Sequence, residues 1–237
     1  MSDLSLFLLL IRGTLAPPTL EESRKIHNQT AGNPAGVAAA KSLGDVSHNV
    51  YVPVDHDGHD KTKGAGEFLI MDLWASIEGL NTFFADKQVQ EGGSMIFSER
   101  DPLVWSAAPG FTSYHLPAPS GMNDRFITTA RATVKSVDEA RKLHNTAIAK
   151  TISKARKAGN LSHESYFRMA APGSPEALEW LGVDVWMSVE DMMGFYEDPE
   201  FLEGFNHMFT AEANTRPMEC CRTLQGSGVS RGRGRCG

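Results

Sequence analysis

Asp, His and Trp recur in matching surroundings at two places in this 237-residue chain. Asp72 opens the run Asp72-Leu73-Trp74-Ala75-Ser76-Ile77-Glu78, and Asp184 opens Asp184-Val185-Trp186-Met187-Ser188-Val189-Glu190. His48 follows Gly44-Asp45-Val46-Ser47, and His163 follows Gly159-Asn160-Leu161-Ser162. A carboxylate beside aromatic surface can have a raised pKa and act as a general acid or base. Histidine can serve as a base or a metal ligand near neutral pH. The indoles of Trp74 and Trp186 can stack a planar molecule, and Tyr51 and Tyr166 add phenols nearby. Asp72, Asp184, His48 and His163 are therefore the catalytic candidates. Trp74, Trp186, Tyr51 and Tyr166 are the substrate-binding candidates. Plainer roles compete with each of these: Trp fills cores, and buried Asp and His bond to backbone groups or to Arg12.

Two further histidines, His27 and His144, sit in Glu22-Ser23-Arg24-Lys25-Ile26-His27-Asn28 and Glu139-Ala140-Arg141-Lys142-Leu143-His144-Asn145. His144 lies mid-way along an apolar helical stripe, so both are read as satisfied structural histidines. Asp55-His56-Asp57-Gly58-His59-Asp60 has metal-ligand residue types but falls in a turn, and no metal is expected there. Glycine-rich dinucleotide fingerprints, phosphate-binding loops and nucleophile elbows do not occur.

These residues fall inside an internal duplication. The blocks around His27, His48 and Asp72 recur in the same order around His144, His163 and Asp184. Beyond Asp, Trp, Ser and Glu, the third block repeats Phe83, Asp86, Glu91 and Gly92 as Phe195, Asp198, Glu203 and Gly204. The halves are residues 1–118 and 122–225, followed by a glycine- and arginine-rich tail at 226–237.

Each half reads β-α-β-β-α-β. In the second, Arg125–Val134 is a strand, and Ser136-Val137-Asp138-Glu139 caps a helix ending at Gly159. Strands follow at Ser162–Met169 and Leu178–Met187, then helix from Ser188 and a last extended piece. The first half predicts strands at Leu4–Thr14, His48–Val54, Glu67–Trp74 and Leu103–Leu116, with helices over Leu20–Ser42 and Ile77–Phe97. A ferredoxin-like sheet carries helices on one face and must cover the other, so two copies pack sheet to sheet. Alternation then divides the third strands. Leu69, Met71 and Leu73, like Val183, Val185 and Met187, are wholly apolar and are expected to face the helices. The faces holding Asp and Trp are expected to line the barrel interior.

The net charge of −6 disfavours nucleic acid as a partner. The three cysteines, Cys220, Cys221 and Cys236, form no framework for disulfides. Leu4–Ile11 is too short to span a bilayer and lacks a basic flank, so it is read as a buried strand. A cytoplasmic protein without membrane partners is expected.

The run Asp-x-Trp-x-Ser-x-Glu, followed by a helix and Phe-x-x-Asp, resembles the dimeric α/β-barrel superfamily in tandem form. That resemblance implies an α+β fold: two tandem ferredoxin-like modules packed sheet to sheet as an α/β barrel. Its members include antibiotic-biosynthesis-type and haem-degrading monooxygenases, muconolactone-isomerase-like enzymes and stress-responsive barrel proteins. The implied function is a cofactor-independent monooxygenase-like or isomerase-like reaction on a hydrophobic or aromatic molecule. The alternative is a non-catalytic ligand-binding or stress-related barrel. No cofactor is expected. A haem variant would need an axial histidine from His48 or His163. A small-molecule ligand is the expected partner, with a homodimer as a further option.

Overall fold

The computed structural model describes residues 6–54, 66–116, 125–170, 178–210 and 216–223. The loop Asp55–Asp60, the junction around Pro117–Asp124 and the tail at 226–237 lie outside them.

The first half contains β1 (Phe7–Leu15), α1 (Leu20–Gln29), α2 (Pro34–Ser42), β2 (Asp45–Pro53), β3 (Glu67–Trp74), α3 (Ile77–Ala85), α4 (Lys87–Ile96) and β4 (Phe97–Ala107). A short β5 (Tyr114–His115) follows. The second half contains β6 (Phe126–Thr133), α5 (Val137–Lys157), β7 (Asn160–Arg168), β8 (Glu179–Trp186), α6 (Val189–Tyr196), α7 (Pro199–Asn206) and β9 (Arg216–Thr223). Each expected helical region of the first half is split in two. Asn33 caps α2 through its side chain and Pro34 takes the first helical turn, which stops α1 from running on. Asp86 ends α3 and accepts from the backbone of Gln88 and Val89 to start α4.

The strands form one antiparallel sheet in the order β4-β1-β3-β2-β9-β6-β8-β7-β5. A further ladder joins β4 to β7, pairing Trp105 with Arg168 and Ala107 with Tyr166. The modules therefore meet twice: β9 of the second half lies on β2 of the first, and β4 of the first lies on β7 of the second.

The two faces of the sheet are the reverse of the expected assignment. Leu69, Met71, Leu73, Leu181, Val183 and Val185 join one cluster with Leu8, Leu10, Trp105 and Ile127, drawn from both modules. This is the interior between the modules, and aliphatic side chains fill it. Phe68, Ile70 and Trp74 pack instead beneath the helices, with Ala40, Leu80 and Ile96. Trp186 does the same against Ala155, Met192 and Phe195. Alternation fixes which residues share a face, but both faces here are buried, and alternation cannot say which one meets a helix. Asp72 and Asp184 thus sit under helices rather than in the barrel interior. Tyr51 and Tyr166 point to the interior cluster, opposite to them.

Close backbone approach fixes the first turn of α3. A Cβ on Gly79 would overlap the Leu43 carbonyl oxygen, which belongs to backbone and cannot swing away. A Cβ on Gly93 would meet only the end of the Arg100 side chain, which can. Gly79→Ala is expected to cost about 2–3 kcal/mol in urea unfolding. Gly93→Ala is expected to be neutral or to stabilise α4 by up to about 1 kcal/mol. Equal effects of the two would contradict this packing.

Candidate functional site

Each module brings a helix, its second strand and its third strand together around one polar chain. In the first, the carboxylate Oδ1 of Asp72 on β3 lies 2.7 Å from Nδ1 of His48 on β2. The other ring nitrogen of His48 lies 2.9 Å from Nε2 of His27 on α1. His27 Nδ1 lies 3.2 Å from Asn28 Oδ1. The second module repeats every link. Asp184 Oδ1 is 2.7 Å from His163 Nδ1, His163 Nε2 is 2.8 Å from His144 Nε2, and His144 Nδ1 is 3.0 Å from Asn145 Oδ1.

Sheet register explains the convergence. His48 stands directly opposite Asp72, and His163 opposite Asp184. Each second strand carries a register shift at its start, between Asp45 and Ser47 and between Asn160 and Ser162. Such bulges re-aim neighbouring side chains. On α5, His144 shares the buried face with Ala140, Ala147 and Thr151, as its helical spacing predicts. Ring planes are nearly parallel at 6° in the first pair and inclined by 24° in the second.

Acceptor chemistry sets the protons in the first chain. A carboxylate and an amide carbonyl only accept, so His48 Nδ1–H donates to Asp72 and His27 Nδ1–H donates to Asn28. His27 Nε2 then carries a lone pair and accepts from His48 Nε2–H. With Asn28 Oδ1 turned toward His27, His48 carries both ring protons and faces Asp72 as an imidazolium. Burial works against that charge, but the hydrogen bond and charge of Asp72, with the charge of Asp45, outweigh it and raise the His48 pKa. Burial also lifts the Asp72 carboxyl above its ordinary value, against the pull of His48. Burial, joined by the neighbouring His48, holds His27 below the usual histidine range. In the second module burial and His163 push His144 down to about 4.

The copies differ in what surrounds the carboxylate. Asp184 Oδ2 accepts from the Tyr196 hydroxyl at 2.8 Å, and Tyr196 also contacts Thr128 and the Trp186 indole N–H. Burial and the Asp184 charge keep the Tyr196 phenol protonated far above its ordinary range. Phe84 stands at the equivalent place in the first repeat and offers no hydroxyl. Exposure differs in opposite senses: the His48 side chain is 27% accessible and the His163 side chain 4%, while Asp72 is 6% and Asp184 17% accessible. A small enclosed cavity borders the second chain and is lined in part by Tyr114, Asn160, His163 and Asp184.

The structure therefore groups all four catalytic candidates, in two pairs, and adds His27 and His144 to them. Both added histidines are satisfied by hydrogen bonds, as expected; what spacing did not reveal is that their partners are the candidate histidines. The recurrence of His-Asn, Ser-His and Asp-x-Trp in the same order is the signal that links them. Trp74 and Trp186 lie on the same face as the carboxylates but are wholly buried among phenylalanines and tyrosine, without an open ring face. Tyr51 and Tyr166 lie across the sheet from the chains. Among the described residues no cluster of three His, Cys, Asp or Glu stands in a metal-holding arrangement. No described helix is long and apolar enough to cross a membrane.

No family model matches the chain, and no curated protein matches it. Solved structures do. An anthrone oxidase-like protein aligns with a TM-score of 0.61 at 13% identity, over 94% of this chain and 93% of its own. A candidate monooxygenase of Fusobacterium nucleatum aligns at 0.59 and 9% identity, over 94% of each chain. A haem-binding protein of Thermus thermophilus aligns at 0.56 and 12% identity, over 94% and 92%. These likenesses show the dimeric α+β-barrel fold. Haem can be tested against the two histidines expected to ligate it, and they do not fit. Both ring nitrogens of His48 and of His163 are already bonded within the chains, which leaves none for iron.

Proposed function

We propose that this chain is a small-molecule enzyme whose His–His–Asp chains act as general acid–base groups on a hydrophobic or aromatic substrate. The reaction class it suits best is cofactor-independent and monooxygenase-like, with isomerisation as the related outcome. One observation carries the reading: the same buried carboxylate–imidazole–imidazole chain is built twice, at equivalent positions of two modules. Buried polar chains are costly unless fully bonded, and a purely apolar interface would fill the same space. The fold likeness to anthrone oxidase-like and candidate monooxygenase proteins supports the class.

In this reading the aspartate orients its histidine and stabilises the imidazolium, and the second imidazole takes up or returns the proton. Removal of a proton from an aromatic hydroxyl or an activated C–H leaves an electron-rich anion. In cofactor-free oxygenation that anion itself donates electrons to dioxygen; in isomerisation it is reprotonated elsewhere. Substrate would meet the first chain at His48, the more accessible histidine, by taking the place of His27 on its Nε2.

The test is oxygen uptake and solvent proton exchange with a panel of flat phenols and anthrones, without added metal or cofactor. Turnover by the wild type is expected to fall about 100-fold or more in Asp72→Asn or Asp184→Asn, whichever module works. A wild type that neither consumes oxygen nor exchanges protons with any of them overturns the enzymatic reading. Binding without turnover would favour a carrier instead.

A further inference from the structure

The cavity beside the second chain has a volume of about 10 Å³, close to the smallest space that holds one water molecule. Its walls mix apolar side chains, including Ile148, Ile152 and Phe195, with Tyr114, Asn160, His163 and Asp184. Asn160 is 1% exposed. Its Oδ1 accepts from the Tyr114 hydroxyl at 2.7 Å, while its Nδ2 is buried with no partner among the described residues. Turning the amide over would orphan the carbonyl oxygen instead, so one polar atom of Asn160 stays unmatched in either orientation. A buried amide donor left without an acceptor costs about 1–3 kcal/mol. The bulge at Asn160 and Ser162 places this side chain at the cavity wall, and strand β5 seals it through Tyr114 opposite His163.

Acceptors for a bridging molecule surround the same space. Among the described residues each Asp184 oxygen has one hydrogen-bond partner, His163 or Tyr196, and keeps a further lone pair. Thr151 Oγ1 donates to the Ala147 carbonyl at 2.8 Å and can still accept. A water there has one donor and two acceptors in reach of its walls, the two to four polar partners that internal waters take.

We propose that this cavity is an internal water site, in which one water accepts from Asn160 Nδ2 and donates to Asp184 or Thr151. The water joins β7 to the His163–Asp184 pair and completes the polar chain of the second module. Its presence does not depend on whether that chain is catalytic.

The experiment is water-to-protein NOE spectroscopy on the intact, isotope-labelled chain. The wild type is expected to show contacts of a long-lived water with the Asn160 side-chain amide and the His163 ring. In Asn160→Leu, which removes the donor and fills the space, the His163 contact is expected to vanish while His48 signals stay in place. A folded wild type without water contact at Asn160 has a dry cavity and overturns the proposal. So does a His163 contact that survives in Asn160→Leu. Should that variant not fold, the wild-type spectrum decides the matter alone. Enzyme activity enters none of these readings, so loss of the acid–base proposal leaves this result standing.

Discussion

Acidification from pH 7 to pH 4 is expected to remove roughly 3 kcal/mol of stability through His144 alone. Burial, reinforced by His163, depresses this imidazole from 6.5 to about 4 in the folded chain. Above 6.5 neither the folded nor the unfolded chain is protonated there, and the group makes stability independent of pH. Between 6.5 and about 4 the unfolded chain binds a proton that the folded chain refuses, so unfolding gains. Below about 4 both forms are protonated and the loss is complete. Glu179, also held below its ordinary value, adds a loss of the same sign at lower pH. His144→Gln isolates the effect. Urea unfolding at several pH values should show a shallower dependence in the variant, by about one proton, across the window from 6.5 to 4. Parallel curves for variant and wild type would mean that His144 is not held neutral.

Asp184→Ala is expected to cost on the order of 3–5 kcal/mol, about 1–3 kcal/mol for each of two shielded donors that lose their acceptor. The carboxylate receives His163 on one oxygen and Tyr196 on the other, and both would be left without an acceptor. Tyr196→Phe leaves the His163 bond in place but also removes the contacts to Thr128 and the Trp186 indole, and is expected to cost about 1–3 kcal/mol. Asp72→Ala should fall between them, because no tyrosine hydroxyl bonds its carboxylate and water can reach His48, which it leaves without that acceptor. Equilibrium unfolding of the three variants gives this order. An Asp72→Ala penalty larger than that of Asp184→Ala would show that the tyrosine hydroxyl does not strengthen the second chain. A change in the denaturant slope would mark altered denatured-state or native compactness instead.

Three blocks recur in one order along the chain, and caps and periodicity marked the strands and helices, apart from the break within each helical region of the first half. Ser136 before Val137-Asp138-Glu139 starts α5, and the glycines at 44 and 159, both at positive φ, end the helical segments before β2 and β7. The membership of each sheet face was equally legible. Leu69 and Met71 had to share one side, and Phe68, Ile70 and Trp74 the other. The residues of the candidate site also stood out, since Asp, His and Trp repeat where the intervening residues change.

Tertiary structure decided which face meets the helices. Local alternation carries no sign that tells one buried side from the other. The barrel interior is filled by residues from both modules, and its volume depends on how they close on one another. Mainly aliphatic side chains, with Trp105, Tyr51 and Tyr166, fill that interior, while Trp74 and Trp186 fit under the helices, where His27 and His144 can reach Asp-bound histidines. The pairing of His27 with His48, far apart in sequence, depends on the angle at which α1 lies on the sheet. Spacing along one helix cannot encode that angle; only the packed sheet and helix together fix it.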